Sequence, residues 1–452
     1  MRMKFNKSSQ LLLVSAASLL VAGLITACGT LTVDFVYVAS SKAAGPNNYG
    51  QIDVFEINSE SGVMRQIPSS PFPSGGRDPV SEAVSSDYSN LFVANQIDNT
   101  IVQFVIGNDG KLYPENTVNT PGVYPLAVAV NGMNLFVVDT YQPLPTCSTA
   151  QPCSSSIAVY PLTTGGSAAS DPCPATVCIE SPAVNTSISA AYWPLSLPTS
   201  TSDVIEATGI YVLPAGNYVY VAAYDATTTS IYAYSNFIFG FSIGSGGVLT
   251  PLNGGAPLGG TLAGGAFATL ETCNDAFLNA PFIVGTCPSA ITSDSTGNYV
   301  YVTDVLKGIV LGYSVSSGTG LLTSLSGNPF PAGDQPSALV ADPSYPYLYV
   351  TNALDSTITA YSMNSGELTS IGTYGSGGVE PVAIGIDPST YHFLYAVNFL
   401  GNTLAAGTVG GFELSPTAGT LVNSQSSPYI SNLQPTAVAA IPHNGSGAGV
   451  QK

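Results

Sequence analysis

The chain has little positive charge: nine Lys and Arg stand against 27 Asp and Glu in 452 residues, and charged residues make up only 8%. Binding nucleic acid or an anionic surface needs clustered cations, so nucleic acid is excluded as a partner. Histidine is nearly absent too, with only His392 and His443. That removes a histidine-rich metal centre and leaves no Cys–His nucleophile pair. Neither a phosphate-cradling glycine loop nor a metalloprotease helix motif occurs. Gly240-Phe241-Ser242-Ile243-Gly244 has the spacing of a hydrolase nucleophile elbow. That motif needs a strand-to-helix turn, and no helix signal follows Ser242. Helix signals are scarce throughout, while 47 Gly and 33 Pro punctuate short apolar runs, as in an all-β protein.

Long apolar runs are missing apart from one at 11–25, preceded by Arg2, Lys4 and Lys7. Basic, apolar, then small residues form a secretory signal, here 1–27, too short and wrongly flanked for a membrane span. Ile25-Thr26-Ala27-Cys28 resembles the bacterial lipoprotein box. The resemblance implies cleavage before Cys28, acylation of its thiol, and a short anchor segment at 28–32. Gly29 in the next position resembles outer-membrane sorting, so the expected address is the bacterial cell envelope, with the membrane as a partner through the lipid. Export leaves Lys42, Arg65, Arg77, Lys111, Lys307 and Lys452 as the only Lys and Arg of the mature chain.

Six cysteines follow Cys28: Cys147, Cys153, Cys173, Cys178, Cys273 and Cys287. An even count in an exported chain points to disulfides. Sequence neighbours suggest the pairs 147–153, 173–178 and 273–287, although fifteen connectivities remain formally open. A zinc site is the competing use, weakened because no two cysteines have the two-residue spacing.

What the chain does have is a phrase that returns seven times, as in Tyr218-Val219-Tyr220-Val221, Tyr299-Val300-Tyr301-Val302 and Leu348-Tyr349-Val350-Thr351-Asn352. Its central aromatics are Tyr37, Phe92, Phe136, Tyr220, Tyr301, Tyr349 and Tyr395, spaced by 55, 44, 84, 81, 48 and 46 residues. A period of roughly 40–50 residues with strand chemistry marks β-propeller blades. Each marker is followed by a second strand phrase and a Gly turn, as at Ser365-Gly366-Glu367, where glycine supplies positive φ. A third phrase opens on Pro in most copies, as in Gln335-Pro336-Ser337-Ala338, since Pro at a strand's first position removes no ladder bond. The copies start on a marker without a Pro-led strand and end on a Pro-led strand, 434–441, without a marker. The predicted fold is therefore an all-β, seven-bladed propeller of four-stranded antiparallel blades at 33–441. The C-terminal strand completes the N-terminal blade, and 442–452 forms a tail.

Insertions at 40–50, 141–156, 165–205, 224–237 and 254–286 interrupt the period and carry the six cysteines at or within their edges. All are expected on one face, that of the marker-to-third-strand loops and blade-to-blade crossovers, where binding loops concentrate. Trp193, in the longest insertion, is either a stacking platform or a packing anchor. Marker ends (Asp139, Asp225 and Asp304) and residues preceding the inner strands (Asp78, Tyr124, Gln335 and Gln434) are the remaining ligand-face candidates. Arg77, Glu206 and Glu380 are the candidates for chemistry there. No cofactor is implied, although a carboxylate-lined mouth is able to hold calcium.

The marker phrase and the Pro-led strand resemble the YVTN-repeat and lactonase-type seven-bladed propellers over nearly the whole mature chain. That family includes 6-phosphogluconolactonases, which open a sugar lactone by adding water, alongside exported members of undefined role. Lactonase-type members tend to place His shortly after the inner-strand Pro. This chain has Val80, Leu126, Ser289, Ser337, Val382 and Thr436 there. The leading expectation is a lipid-anchored, non-catalytic scaffold binding a protein or glycan ligand on its loop-rich face. The alternative is a lactonase-like hydrolase of an uncharged lactone, with Glu206 or Glu380 as base and Arg77 polarising the carbonyl.

Overall fold

The computed structural model describes residues 33–44, 47–146, 153–164, 177–198, 203–227, 236–260, 288–388, 393–401 and 406–442. Cys28, Cys147, Cys173, Cys273, Cys287, His392 and His443 lie outside them.

Alternating apolar residues give strands, and the strands assemble into seven separate antiparallel sheets. In blade 6 the order runs Pro336–Ala341 (inner), Tyr347–Asn352 (marker), Thr357–Asn364 (third) and Glu367–Gly375 (outer). Each inner strand touches the inner strands of both neighbouring blades and of no others, which closes a ring around a central axis. Blade 1 draws on both chain ends. Pro435–Ile441 pairs with the marker strand Val33–Ala44, aligning Tyr37 with Ala439 and Val38 with Val438. The ring thus has no free inner edge.

The core is divided in the same way. Seven hydrophobic clusters form, each filling the seam between two adjacent blades. All seven marker aromatics are fully buried. Four of the tyrosines reach across a seam to the glycine turn of the next blade. Tyr37 donates to the Gly110 carbonyl, Tyr220 to Gly320, Tyr301 to Gly366 and Tyr349 to Gly419, at 2.8–3.2 Å. These glycines have φ between +66° and +86°. The aromatic two residues before each tyrosine lies where a glycine Cβ would stand. The recurring aromatic–Val–Tyr phrase and the recurring Gly turn are thus two halves of one blade-to-blade contact.

One expectation about the insertions is corrected. The third strand of blade 3, Ser156–Thr164, pairs directly with its outer strand, Val177–Ile179, with Leu162 opposite Ile179. The connection 165–176 therefore leaves and returns on the hairpin face, opposite the crossovers. Only the second half of the 165–205 insertion is a crossover. The sequence does not separate these two halves, because a long hairpin and a long crossover are indistinguishable by length.

Candidate functional site

The crossover face is where all seven inner strands begin, and their first residues ring the channel mouth. The local backbone there repeats. Asp78, Tyr124, Gln335, Glu380 and Gln434, each directly before an inner-strand Pro, all have φ between +57° and +60°. Non-glycine residues adopt this left-handed region at a cost of roughly 1–2 kcal/mol. A β-bulge follows within two residues in each of these blades. The corner is held by backbone bonds to the marker-to-third-strand turn of the same blade, as with Gln96 N to Asp78 O and Ala353 N to Gln335 O, both 2.8 Å. Tyr124 is exposed, whereas Asp78, Gln335, Glu380 and Gln434 are half-buried. Partial burial pushes the Asp78 carboxyl upward.

The bulge positions carry contacts between blades. Ser289 donates to the Pro336 carbonyl of the next blade, Ser337 to that of Pro381, and Thr436 to that of Pro79, at 2.6–2.7 Å. These hydroxyls stitch adjacent inner strands together. Val80, Leu126 and Val382 at three other bulges are aliphatic and offer no proton, and Thr208 at the blade 4 bulge donates to Ala222 O of its own blade at 3.3 Å.

The marker-strand ends do not line the mouth. Asp139 and Asp225 are fully buried and Asp304 is 4% exposed. They hold loops: Asp139 accepts from Gly122 N at 3.0 Å, Asp225 from Thr227 N at 2.8 Å, and Asp304 from Asn236 Nδ2 at 3.1 Å. Asn352 does the same for Gly333 N at 3.0 Å. A Cβ on Gly76, Gly122, Gly333 or Gly378 would collide with the Asn or Asp that ends the marker strand of the same blade. Burial raises the Asp139 carboxyl to about 7, partly offset by bonds from Thr120 and Gly122. In blades 2, 3, 6 and 7 the Asn or Asp that ends the marker phrase is a crossover latch, and Asp225 and Asp304 are buried as well, so the expected acidic ring of marker ends is not formed.

Trp193 is also internal. It is 3% exposed and sits in the seam between blades 3 and 4 with Phe136, Ile157 and Phe237. The crossover returns along blade 3, pairing Trp193 with Ile157 and Pro194 with Ser156. Of the two uses open to it, the packing anchor is the one seen.

Arg77 does meet an acid, but neither of the expected ones. Its Nε donates to Asp98 Oδ1 at 2.7 Å, and its backbone N donates to Oδ2 at 2.7 Å. In blade 6 Asp355 binds the backbone N of Asp334 at 2.6 Å. The bond to the turn acid therefore belongs to the crossover design, and the Arg77 side chain adds a second, surface contact to it. Glu206 accepts a hydrogen bond from the Tyr224 hydroxyl on the facing marker strand. Among the described residues no side-chain bond reaches Glu380, and no three carboxylates, cysteines or histidines group closely enough to share a metal ion. Cys153 and Cys178 are each disulfide-bonded.

The hairpin face holds a cavity that the sequence did not signal, of about 370 Å³, between blades 1 and 2. Phe35, Ile67 and Pro68 give it an apolar wall, and Glu56, Asp109 and Lys111 a charged one. Lys111 pairs with Asp109, and Glu56 with Arg65, so its charges are mutually satisfied.

Comparison with known proteins agrees with this geometry. Residues 274–439 match the family model described as "Lactonase, 7-bladed beta-propeller". No curated protein matches the sequence. Among solved structures, a candidate 6-phosphogluconolactonase of Bacteroides uniformis is 17% identical with a TM-score of 0.62, covering 90% of this chain and 99% of its own. The corresponding Bacteroides fragilis structure has a TM-score of 0.60 at 17% identity, covering 91% and 99%. The periplasmic gluconolactonase of Pseudomonas aeruginosa has 0.57 at 17%, with the same coverage. At such identities the likeness shows the fold alone. The chain is thus a seven-bladed β-propeller whose residues 274–439, in its C-terminal blades, match the lactonase propeller model.

Proposed function

We propose that this chain binds an uncharged, hydroxyl-rich ligand such as a sugar at its channel mouth, without hydrolysing it. The rim carries the reading. At five corners where glycine is cheapest, the sequence keeps Asp78, Tyr124, Gln335, Glu380 and Gln434. Side chains retained against backbone strain mark functional positions. Carboxylates and amides pair well with hydroxyls. The surplus of carboxylates disfavours an anionic ligand.

Hydrolysis needs a base aimed at water and a donor for the oxyanion. Arg77, which directly precedes the Asp78 corner, is engaged by Asp98. The Ser289, Ser337 and Thr436 hydroxyls at the bulges are engaged by carbonyls of the next blade. A lactonase acting on an uncharged lactone is the second reading, favoured by the family match over 274–439. In it Glu206 or Glu380 is the base, and Arg77 must leave Asp98 to polarise the carbonyl.

Calorimetric titration of the full chain with methyl glucoside, glucono-lactone and 6-phosphoglucono-lactone, run beside a hydrolysis assay, separates the two. Binding of the neutral compounds with no turnover above the spontaneous rate is expected. Turnover that disappears in Glu206→Gln or Glu380→Gln replaces the binding reading with the hydrolase. The same proposal places the chain at the cell envelope through a signal at 1–27 and a lipid on Cys28, with disulfides 147–153, 173–178 and 273–287. Mass spectrometry of the cell-derived protein, intact and digested, tests both.

A further inference from the structure

The seven blades repeat closely enough that a departure confined to one seam is informative. At the rim corner and at the marker end two residues beyond the latch, blade 2 has Asp78 and Ile97, blade 6 has Gln335 and Leu354, and blade 7 has Glu380 and Leu400. Blade 3 alone among these has aromatics at both, Tyr124 and Tyr141. Their rings meet edge-on with centroids 6.3 Å apart and planes at 79°. Tyr124 remains 42% exposed. Beside them, the inner strand of blade 4, Ile205–Val212, carries Glu206 followed by Ala207 where most other blades have a Pro. Burial and, after it, the Glu206 carboxylate push the Tyr141 phenol upward.

The pieces are held from three blades. Tyr124 N donates to Asn99 Oδ1 at 2.6 Å, and its carbonyl accepts from Thr140 Oγ1 at 2.8 Å. Ser155 N donates to Ile205 O at 2.8 Å, Ala207 N to Ser155 Oγ at 2.9 Å, and Ser155 Oγ to Thr140 O at 2.8 Å. The end of the 141–156 insertion therefore cements the blade 3 tyrosines to the strand bearing Glu206. Glu206 Oε2 accepts from Tyr224, and the side chain is only half-buried.

We infer that Tyr124, Tyr141 and Glu206 form a subsite for one neutral pyranose ring at the seam of blades 3 and 4. This deepens the binding reading above and rests on it. A pyranose offers an apolar C–H face and an edge of hydroxyls. The exposed tyrosine ring receives the face, and the carboxylate accepts from the edge. The Tyr141 ring supports Tyr124 from behind. A carboxylated sugar is repelled by Glu206.

Saturation-transfer NMR and calorimetry on the full chain test this with methyl glucoside and methyl glucuronide. Tyr124→Gly suits the positive φ, so it keeps the fold while removing the ring; methyl glucoside affinity is expected to fall about tenfold, the scale of one aromatic contact. Tyr124→Phe is expected to retain most of it. Glu206→Gln is expected to narrow the gap between the glucoside and the glucuronide, which a purely structural residue leaves unchanged. If the glucoside binds and both Tyr124→Gly and Glu206→Gln leave its affinity within about twofold, the subsite is wrong and the mouth reading stands. If neither compound binds the unmodified chain, the mouth reading and the subsite fall together.

Discussion

Tyr301 of blade 5 donates its buried hydroxyl to the Gly366 carbonyl of blade 6 at 2.8 Å, while Tyr299 fills the space beside the Gly366 Cα. Blades stand separately as sheets, so contacts of this kind carry the order from one to the next. Tyr301→Phe orphans a buried carbonyl and is expected to lose about 1 kcal/mol in urea unfolding. Gly366→Ala meets both the positive φ, +86°, and the Tyr299 ring. A loss of about 3 kcal/mol is expected. Gly246→Ala is the control: φ is +67° with nothing within 4 Å, and about 1 kcal/mol is expected.

Glu82 breaks the pattern of its own repeat. Three residues after the inner-strand Pro, blades 3, 5 and 6 carry Val128, Ile291 and Leu339, all at most 8% exposed, whereas blade 2 carries an acid with 9% exposure. Burial raises its carboxyl from 4.5 to about 8, with the backbone N–H groups of Ala439 and Ala39 offsetting only part. Between these values the folded chain keeps a proton that the unfolded chain has released. The stability this group confers is therefore complete below pH 4.5 and falls by about 1.4 kcal/mol per pH unit until about 8. Glu82→Leu is expected to flatten that slope and to raise the melting temperature at pH 7.5. Thermal melts of both proteins from pH 4.5 to 8.5 check this, and parallel slopes contradict it.

Ring closure yields a third expectation. Deleting 435–441 leaves the marker strand Val33–Ala44 without its inner partner and strips the seam shared with blade 2. Asp53, which accepts from Asn432 N at 2.7 Å and Asn432 Nδ2 at 3.0 Å, and Ser41 N, which donates to Gln434 O at 2.9 Å, are then among the few remaining ties at that end. Loss of a single cooperative unfolding transition and light scattering from edge-to-edge association are expected.

The blades were legible because strand alternation, tight turns and Pro-led starts are local signals, and seven copies reinforce each other. The closing strand was legible from the mismatch between how the copies begin and end. What lay beyond the sequence was direction. Asp139, Asp225 and Asp304 end their strands with the polar character of a ligand rim, yet each turns inward to bind neighbouring chain, and for Asp139 that depends on the approach of Gly122. Trp193 reads equally as platform or anchor until the return path of its crossover is known. The strained corners at Asp78 and Glu380 left no trace, because nothing in X-Pro announces a positive φ; the residue before Pro normally takes extended backbone. Glu82 was readable in principle, as an acid aligned with Val128 and Leu339, once the bulge fixed the register.

The central claim is that the rim side chains are kept for a ligand and not for the fold. Replacing Asp78, Gln335, Glu380 and Gln434 together by Gly removes the side chains while relieving four positive-φ corners. Relief of about 1 kcal/mol at each corner roughly offsets the added freedom of glycine in the unfolded chain. Calorimetric titration of this variant with methyl glucoside, beside a melt, is the most direct measurement. Near-unchanged melting temperature with binding abolished is the predicted result. Undiminished binding, or a collapse of the melt, contradicts it.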